Sequence, residues 1–261
     1  MIGFHSSVRT KDGKLLSREY LHHITLMNMD KKSPYCEGMP YLVAGTGMEM
    51  YEAHFPPGYG LKLAKGTRLM AVAAFYHGVP PTDDVMAIFT MEMAPDGHNL
   101  HPLEAHNASI SVDCYGNWKT KRASDETDEG IVLQPGVMVR SVPVKFYMDG
   151  CVRFAYPHGH DYLVLFTLEN KTRQQTLLRT MPAVAPDGKL RGFSSEQVYS
   201  NGIGFTVSTR DDYEVMMIYH RPLHDTGPRY GMANYFMYMT PGACSGVTPP
   251  PSSEHTVTSH R

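Results

Sequence analysis

The sequence predicts an all-β protein. Short segments that alternate apolar and polar residues, or are rich in β-branched and aromatic side chains, recur along nearly the whole chain. Turn-forming stretches separate them: FPPGYG at Phe55, LQPG at Leu133, and APDG at both Ala94 and Ala185. No segment has a convincing helical period over about 12 residues or more. These observations favour β-sandwiches or barrels.

The predicted strands follow one another at short intervals from residue 20 onward. In chain order they are YLHHITLMNM (20–29), RLMAVAAFYHG (68–78), VMAIFTMEM (85–93), ASISVDCYG (108–116), VMVRSVPVKFYM (137–148), CVRFAYPHGHDYLVLFTLE (151–169), QTLLRTM (175–181), GFTVSTRDDYEVMMIYH (204–220) and NYFMYM (234–239).

The length of 261 residues allows one large core or two of about 100 to 130 residues each, and two domains are the better expectation. Residues 119–130 are polar and densely charged, which predicts a linker or long surface loop between a domain at 1–118 and another at 131–245. Residues 246–261 are rich in Pro, Ser and Thr, which predicts a disordered tail.

Charge and hydropathy exclude two classes of partner. The formal net charge is −2 and basic residues are thinly spread, so we expect no nucleic-acid partner. No run of about 18 apolar residues occurs, so we expect no membrane span. The amino-terminal residues do not resemble a secretory signal, so the protein is either cytosolic or begins after a removed signal.

The cysteines and two glycosylation patterns bear on the compartment. The four cysteines fit two disulfides in an oxidising compartment and fit free buried thiols equally well: Cys36, Cys114, Cys151 and Cys244. Asn107-Ala108-Ser109 and Asn170-Lys171-Thr172 match the acceptor pattern for N-glycosylation, which adds weak support for secretion. We therefore predict a secreted or lumenal protein.

Histidine and methionine are unusually frequent, at 14 and 18 residues. Imidazole and thioether together suit copper, particularly Cu(I), although methionines also fill cores. His158 and His160 are two residues apart in a predicted strand, so both side chains point to one face. His22 and His23 are adjacent and could share an ion only if their strand bulges or ends there.

Two further residues complete the candidate ligand set, His77 in AAFYHG and Met232 in YGMANYFMYM. Each motif alone also fits hydrogen-bonded core or surface histidines and a core methionine. The combination is what favours a metal site.

The order of these motifs resembles the ascorbate-dependent type II copper monooxygenases, the family of peptidylglycine α-hydroxylating and dopamine β-monooxygenases. LHHITL resembles the family's His-His strand, FYHG its His-Tyr-Gly strand, VRFAYPHGH its segment leading into His-x-His, and GMANYFMYM its Met-Cys-Asn segment. The gaps are comparable, 54 residues from His23 to His77 (77 − 23) and 72 from His160 to Met232 (232 − 160). The resemblance extends from about Tyr20 to Thr240.

This resemblance implies two antiparallel jelly-roll domains in tandem and two copper ions per chain. His22, His23 and His77 would hold an electron-supplying copper in the first domain, and His158, His160 and Met232 the oxygen-binding copper in the second. The family hydroxylates an activated C–H bond with O2 and ascorbate as the reductant. A small-molecule or peptide-like substrate is therefore expected. Cys151 and Cys244, in the same predicted domain, would form a disulfide.

The predicted substrate contacts depart from the peptide-amidating members. Tyr156 stands where those members have a carboxylate-binding arginine, which makes a peptidylglycine substrate doubtful. Asn234 occupies the position of a polar contact and Phe236 that of a tyrosine. His220 and His224 could contact substrate or support the ligands, or could be surface histidines.

Two functions remain open at this point. The first is a copper monooxygenase. The alternative is a non-catalytic copper-binding protein on the same fold, acting in copper capture, in a stress response or as a scaffold, because a fold does not determine an activity.

Overall fold

The computed structural model describes residues 1–35, 38–75, 84–110, 126–127, 130–193 and 203–244. Strands form most of these ranges, and a single 3-10 turn at Arg18–Tyr20 is their one helical element. The structure thus confirms the predicted all-β class, and its sheets are antiparallel apart from one short parallel pairing.

The strands of the first half lie between residues 3 and 110. They are β1 Gly3–Thr10, β2 Leu21–Lys32, β3 Pro40–Gly47, β4 Glu52–His54, β5 Tyr59–Leu61, β6 Leu69–Phe75, β7 Val85–Glu92 and β8 His101–Ile110.

The strands of the second half begin at residue 126. They are β9 Glu126–Thr127, β10 Gly130–Val132, β11 Gly136–Val144, β12 Gly150–Gly159, β13 Leu163–Asn170, β14 Gln175–Thr180, β15 Ala183–Val184, β16 Leu190–Gly192, β17 Phe205–Val207, β18 Tyr213–Arg221, β19 Tyr230–Gly231 and β20 Ala233–Pro241.

A five-stranded sheet with the order β17-β12-β20-β8-β5 forms the middle layer of the molecule. Alternation along its strands sends side chains to opposite faces. One face carries Phe154, Tyr156 and Tyr238 into a core shared with β1, β3, β4 and β5. The other carries Tyr235 and Met237 into a core shared with the four-stranded sheet β11-β18-β13-β14.

The middle sheet contains strands from both halves of the chain. β8 pairs with β20 over seven residue pairs, from Ile110↔Ala233 to Glu104↔Met239. The two halves are therefore joined by a continuous hydrogen-bonded sheet. The tandem jelly-roll division at 119–130 stays a prediction, and most of that stretch, like the tail at 246–261, lies outside the described residues.

The disulfide expected from the common predicted domain of Cys151 and Cys244 is present, between Cys151 at the start of β12 and Cys244 just after β20. Cys36 and Cys114 lie outside the described residues. A disulfide is typical of an oxidising compartment. None of the helices in the described ranges is long and apolar enough to span a membrane.

The asparagines of both glycosylation patterns form hydrogen bonds within the protein. Asn107 is half-buried in β8, and its amide nitrogen donates to Ser109 Oγ at 2.7 Å. Asn170 is 1% exposed, and its amide nitrogen donates to Asp211 Oδ2 at 2.7 Å. Asn170 is thus buried, so its pattern gives no support to secretion.

Candidate metal centre

His22 and His23 lie at the start of β2, where the pairing with β6 is irregular. Leu21 pairs with Phe75, but His23 already pairs with Ala74, so one residue of β2 has no partner and the strand bulges at His22. The bulge places the two imidazole rings on the same side, with their centroids 4.8 Å apart. Adjacent histidines in a strand can share one ion only where the strand bulges or ends, and β2 bulges at this point.

His158 is the penultimate residue of β12, and His160 follows directly after the strand. Their ring centroids are 5.6 Å apart, as expected for two side chains on one face. Across the sheet, His158 pairs with Asn234 and Gly159 with Ala233. Continuing this register puts Met232 opposite His160, on the same face of the sheet.

Imidazoles from the two strands converge on one point. His22 Nε2 lies 3.0 Å from His160 Nε2, and one ring nitrogen each from His22, His158 and His160 lies within 4.8 Å of the other two. The His23 ring centroid is 6.3 Å from that of His158, so His23 lies at the edge of the group. Histidines that the resemblance assigned to two different ions thus form a single cluster.

Hydrogen bonds at the second ring nitrogen orient two of the imidazoles. The Nδ1 of His160 donates to the carbonyl oxygen of Tyr230 at 3.0 Å, which requires the proton to be on Nδ1 and leaves the Nε2 lone pair free. The Nδ1 of His158 hydrogen-bonds to Oε1 of Glu49. Partners of this kind usually fix the orientation of metal-ligating histidines.

Burial keeps the imidazoles of His22, His23 and His160 neutral. Loss of solvation, together with repulsion from the neighbouring His160 and His158, lowers the pKa of His22 to about 2. The same two causes, burial first and then repulsion from nearby histidines, lower the pKa of His160 to about 3 and that of His23 to about 4. Near neutral pH these three histidines therefore present unprotonated nitrogens, the form that binds metal ions.

A cavity of about 290 Å³ adjoins the cluster, with His23, His158 and Met232 in its wall. Eight of the other lining residues are aromatic or carry a thioether. They are Met27, Met39, Met50, Tyr35, Tyr41, Tyr156, Phe236 and Tyr238.

One wall of the cavity is polar. The amide of Asn107 donates to Ser109 Oγ, which in turn donates to Asn234 Oδ1 at 2.9 Å. Among the described residues of this lining, Glu49 supplies the only carboxylate and Lys145 the only ammonium group. Such a space suits a small, largely apolar molecule with a few hydrogen-bonding groups.

The residues predicted as substrate contacts divide into two groups. Tyr156, Asn234 and Phe236 line the cavity. His220 and His224 are exposed and are not part of its lining. His77 lies outside the described residues, so its predicted role as a ligand stays a prediction.

Tyr156 has a structural partner in addition to its place in the cavity wall. Its hydroxyl donates to the Gly45 carbonyl at 2.6 Å and accepts from the Gly45 N–H at 3.2 Å. Its ring stacks on Phe236 with centroids 4.9 Å apart. Tyr156 therefore joins β12 to β3 and contributes an aromatic surface to the cavity, where an arginine would have contributed a cation.

Glu49 was not predicted from the sequence. A single carboxylate between two methionines, in GTGMEMYE, has no ligand-like spacing to any other acid or histidine. It reaches His158 across 109 positions of sequence, a contact that only the tertiary structure creates.

No protein-family model and no curated protein matches this chain.

Proposed function

We propose that this chain is a copper-dependent monooxygenase that hydroxylates an activated C–H bond of a small molecule, using O2 and a reductant such as ascorbate. One observation carries the proposal: three imidazoles converge within 4.8 Å, and one of them, that of His158, lies in the wall of a cavity lined mainly by apolar side chains. A metal site that opens onto a substrate-sized space is the arrangement that such an oxidation needs.

The donor set fits copper. Imidazole suits copper, zinc, iron and nickel, whereas a thioether favours the softer Cu(I) ion. His22, His158 and His160 would hold the ion, and Met232, on the same face and in the cavity wall, is the thioether nearest to them in the strand register. Bound copper would supply the one-electron chemistry and the affinity for O2 that amino-acid side chains lack.

The overall reaction consumes one O2, two electrons from the reductant and two protons. One oxygen atom enters the C–H bond as a hydroxyl group, and the other leaves as water. The chain contributes binding and orientation, because Tyr156 and Phe236 offer stacked aromatic surface while Asn234 offers polar contact.

The cavity favours an uncharged substrate of small size. Tyr156 supplies no cation for a terminal carboxylate, and its hydroxyl is bonded to Gly45. We therefore expect small aromatic or aliphatic molecules with one or two hydrogen-bonding groups to bind in preference to peptides that end in glycine.

Copper content and O2 uptake test the proposal together. The purified protein, loaded with copper and freed of excess metal, is analysed for copper per chain and then given ascorbate in the presence of candidate substrates. We expect bound copper and substrate-dependent O2 uptake. Copper without uptake for any substrate would favour the non-catalytic copper-binding protein, and absence of specific copper would exclude both functions.

Two substitutions assign the ligands, with one exposed histidine as the control. His158→Ala should lower the copper content by about one ion per chain, and His220→Ala, which is exposed and outside the cavity lining, should leave it unchanged. Met232→Ile should retain copper but lose O2 uptake. Full copper content in His158→Ala would refute the site, and full turnover in Met232→Ile would assign that methionine to the core.

The proposed location is outside the cytosol, in a secreted or lumenal compartment. The Cys151–Cys244 disulfide supports this location. Recovery of the disulfide-bonded form from the culture medium of the producing cells would support secretion, and its confinement to the cytosol would contradict it.

A further inference from the structure

We propose that Glu49 is a positioning residue for the metal centre, holding His158 in its metal-binding form and supplying the negative charge that favours Cu(II). This inference rests on the proposed copper site. Glu49 lies outside both histidine motifs and far from Met232 in the sequence.

Glu49 is a deeply buried carboxylate. Its side chain is 4% exposed, and among the described residues its hydrogen bond and ion-pair contact are both with His158. No lysine or arginine in the described ranges lies within ion-pair distance of it. Burying a carboxylate away from water costs several kcal/mol unless a positive charge is nearby. A metal ion at the imidazole cluster would be that charge.

The contact also selects the form of the His158 ring. A carboxylate at Nδ1 keeps the proton on that nitrogen, so the Nε2 lone pair is left for the metal. The same arrangement holds at His160, where the acceptor is the Tyr230 carbonyl. Both histidines of the His-x-His motif are thus oriented from their Nδ1 side, but only at His158 does the acceptor carry a charge.

The local backbone is built to present this carboxylate. β3 ends at Gly47, whose N–H donates to the Met50 carbonyl at 2.8 Å and closes a tight turn around Glu49. A Cβ atom on residue 47 would lie 2.6 Å from Glu49 Oε2, closer than real Cβ contacts. A side chain at position 47 would therefore displace the Glu49 carboxylate from its present place.

The charge has a predictable effect on the oxidation state. A nearby anion stabilises a doubly charged ion more than a singly charged one, and the difference is large where the surroundings are buried. Glu49 should therefore strengthen Cu(II) binding more than Cu(I) binding. A residue that only supports the fold would instead affect the binding of Cu(I) and Cu(II) equally.

Two substitutions separate charge from orientation. The side-chain amide introduced by Glu49→Gln can still accept a hydrogen bond from His158 Nδ1–H but carries no charge, whereas Glu49→Ala removes both. Glu104→Gln is the control, because Glu104 is a partly exposed carboxylate bonded to Lys31 and Tyr41 and is not part of the cavity lining. Competition with chelators of known affinity measures Cu(I) and Cu(II) binding to each protein.

We expect Glu49→Gln to weaken Cu(II) binding about tenfold and Cu(I) binding much less, so that the Cu(II)/Cu(I) potential rises. Glu49→Ala should weaken both, by about 10 to 100-fold. The metal-free Glu49→Gln protein should be at least as resistant to urea as the wild type, because a buried carboxylate costs more to remove from water than a buried amide. Glu104→Gln should leave both affinities unchanged.

The outcomes separate this inference from the proposed function. Wild-type protein that binds no copper would refute the site as a whole. Wild-type protein that binds copper, with unchanged affinities in both Glu49 variants, would refute the role of Glu49 alone. Equal weakening of Cu(I) and Cu(II) in Glu49→Gln, together with lower urea resistance of the metal-free form, would show that Glu49 acts on the fold and not on the metal.

Discussion

The hydroxyl of Tyr219 holds the backbone on both sides of the candidate site. It accepts from the N–H of His160 at 3.2 Å and from the N–H of Met232 at 3.0 Å, and it donates to the Met232 carbonyl at 2.5 Å. The residue is fully buried, so no water can replace these bonds. One phenol thus fixes the distance between the two segments that carry His160 and Met232.

Tyr219→Phe should lower stability and also loosen the metal site. Two backbone N–H groups lose their acceptor, so we expect a loss of about 1–3 kcal/mol in the free energy of unfolding and weaker copper binding. Urea denaturation and copper competition measure the two effects. Tyr235→Phe is the control, because that hydroxyl bonds to Phe166 and Thr180 away from the histidines, and it should lose stability only. Equal copper affinity in the two variants would contradict the role of Tyr219.

His106 is a second kind of buried histidine, outside the metal cluster. Its ring lies between Phe146 and Tyr147, with centroids 4.3 and 5.3 Å away, and the Tyr35 hydroxyl contacts its ring nitrogens. Burial lowers the pKa of His106 to about 3. In the unfolded chain a histidine has a pKa of about 6.5.

His106 should make the protein less stable in acid. Between pH 6.5 and about 3 the unfolded chain binds a proton that the folded protein does not, so stability is full above this window and falls as the pH drops through it. The contribution approaches about 1.4 kcal/mol per pH unit. Urea titrations of wild type and His106→Phe from pH 7.5 to 4.5 should diverge below about pH 6.5, with wild type losing more. Parallel curves would show that His106 does not titrate in this window.

Strand alternation predicted that His158 and His160 share a face, because the two residues are two positions apart. It could not predict Glu49 or Tyr219. Both reach the site through tertiary contacts, one from the turn after β3 and one from β18, and neither has a local spacing that differs from an ordinary core residue.

At the scale of the strands, β12 joins the site to the middle sheet. It is buried along its full length, pairs with β20 and β17, and ends at the histidines. Its other end is anchored by the disulfide to the segment after β20. Gly204, with a φ of +87°, allows the chain to pass this bridge, since a Cβ there would lie 2.2 Å from the Cys151 sulfur.

Removing the disulfide should destabilise the fold without changing the ligands. The bridge spans a sequence separation of 93 residues, so the Cys151→Ala, Cys244→Ala double variant should lose about 2–5 kcal/mol in the free energy of unfolding. Copper content of the folded variant should equal that of the wild type, because the bridge lies at the end of β12 away from His158. Urea denaturation and elemental analysis check both statements. A large loss of copper at unchanged stability would contradict this assignment.

The strands that sequence patterns missed are those with few apolar residues or many small ones. β1 reads GFHSSVRT, and only its buried Phe4 and Val8 mark the inner face. β3 reads PYLVAGTG, in which small residues leave room for the cavity, as Gly45 does beside Phe236. The strand predicted at 108–116 begins earlier, at His101, and residues 111–116 lie outside the described ranges.

At the scale of the whole molecule, the cores on the two faces of the middle sheet differ in which half of the chain supplies their residues. The core behind the middle sheet is built almost entirely from residues after 130, with Ala108 as the exception. The core in front of it combines residues of the first half with Phe154, Tyr156 and Tyr238 from the second. Like the front core, the metal cluster combines residues from both halves of the chain. His22 comes from β2, and its partners His158 and His160 come from the end of β12.

This asymmetry predicts different behaviour for the two halves when they are produced separately. A fragment of residues 131–245 retains its own core and should unfold cooperatively, while exposing the aromatic face of Phe154, Tyr156 and Tyr238 to a hydrophobic dye. A fragment of residues 1–118 lacks those three side chains and the β20 partner of β8, so it should not fold alone. Mixing the fragments should quench dye binding and restore copper affinity. Cooperative unfolding of the 1–118 fragment by itself would instead establish two independent domains, as the sequence predicted.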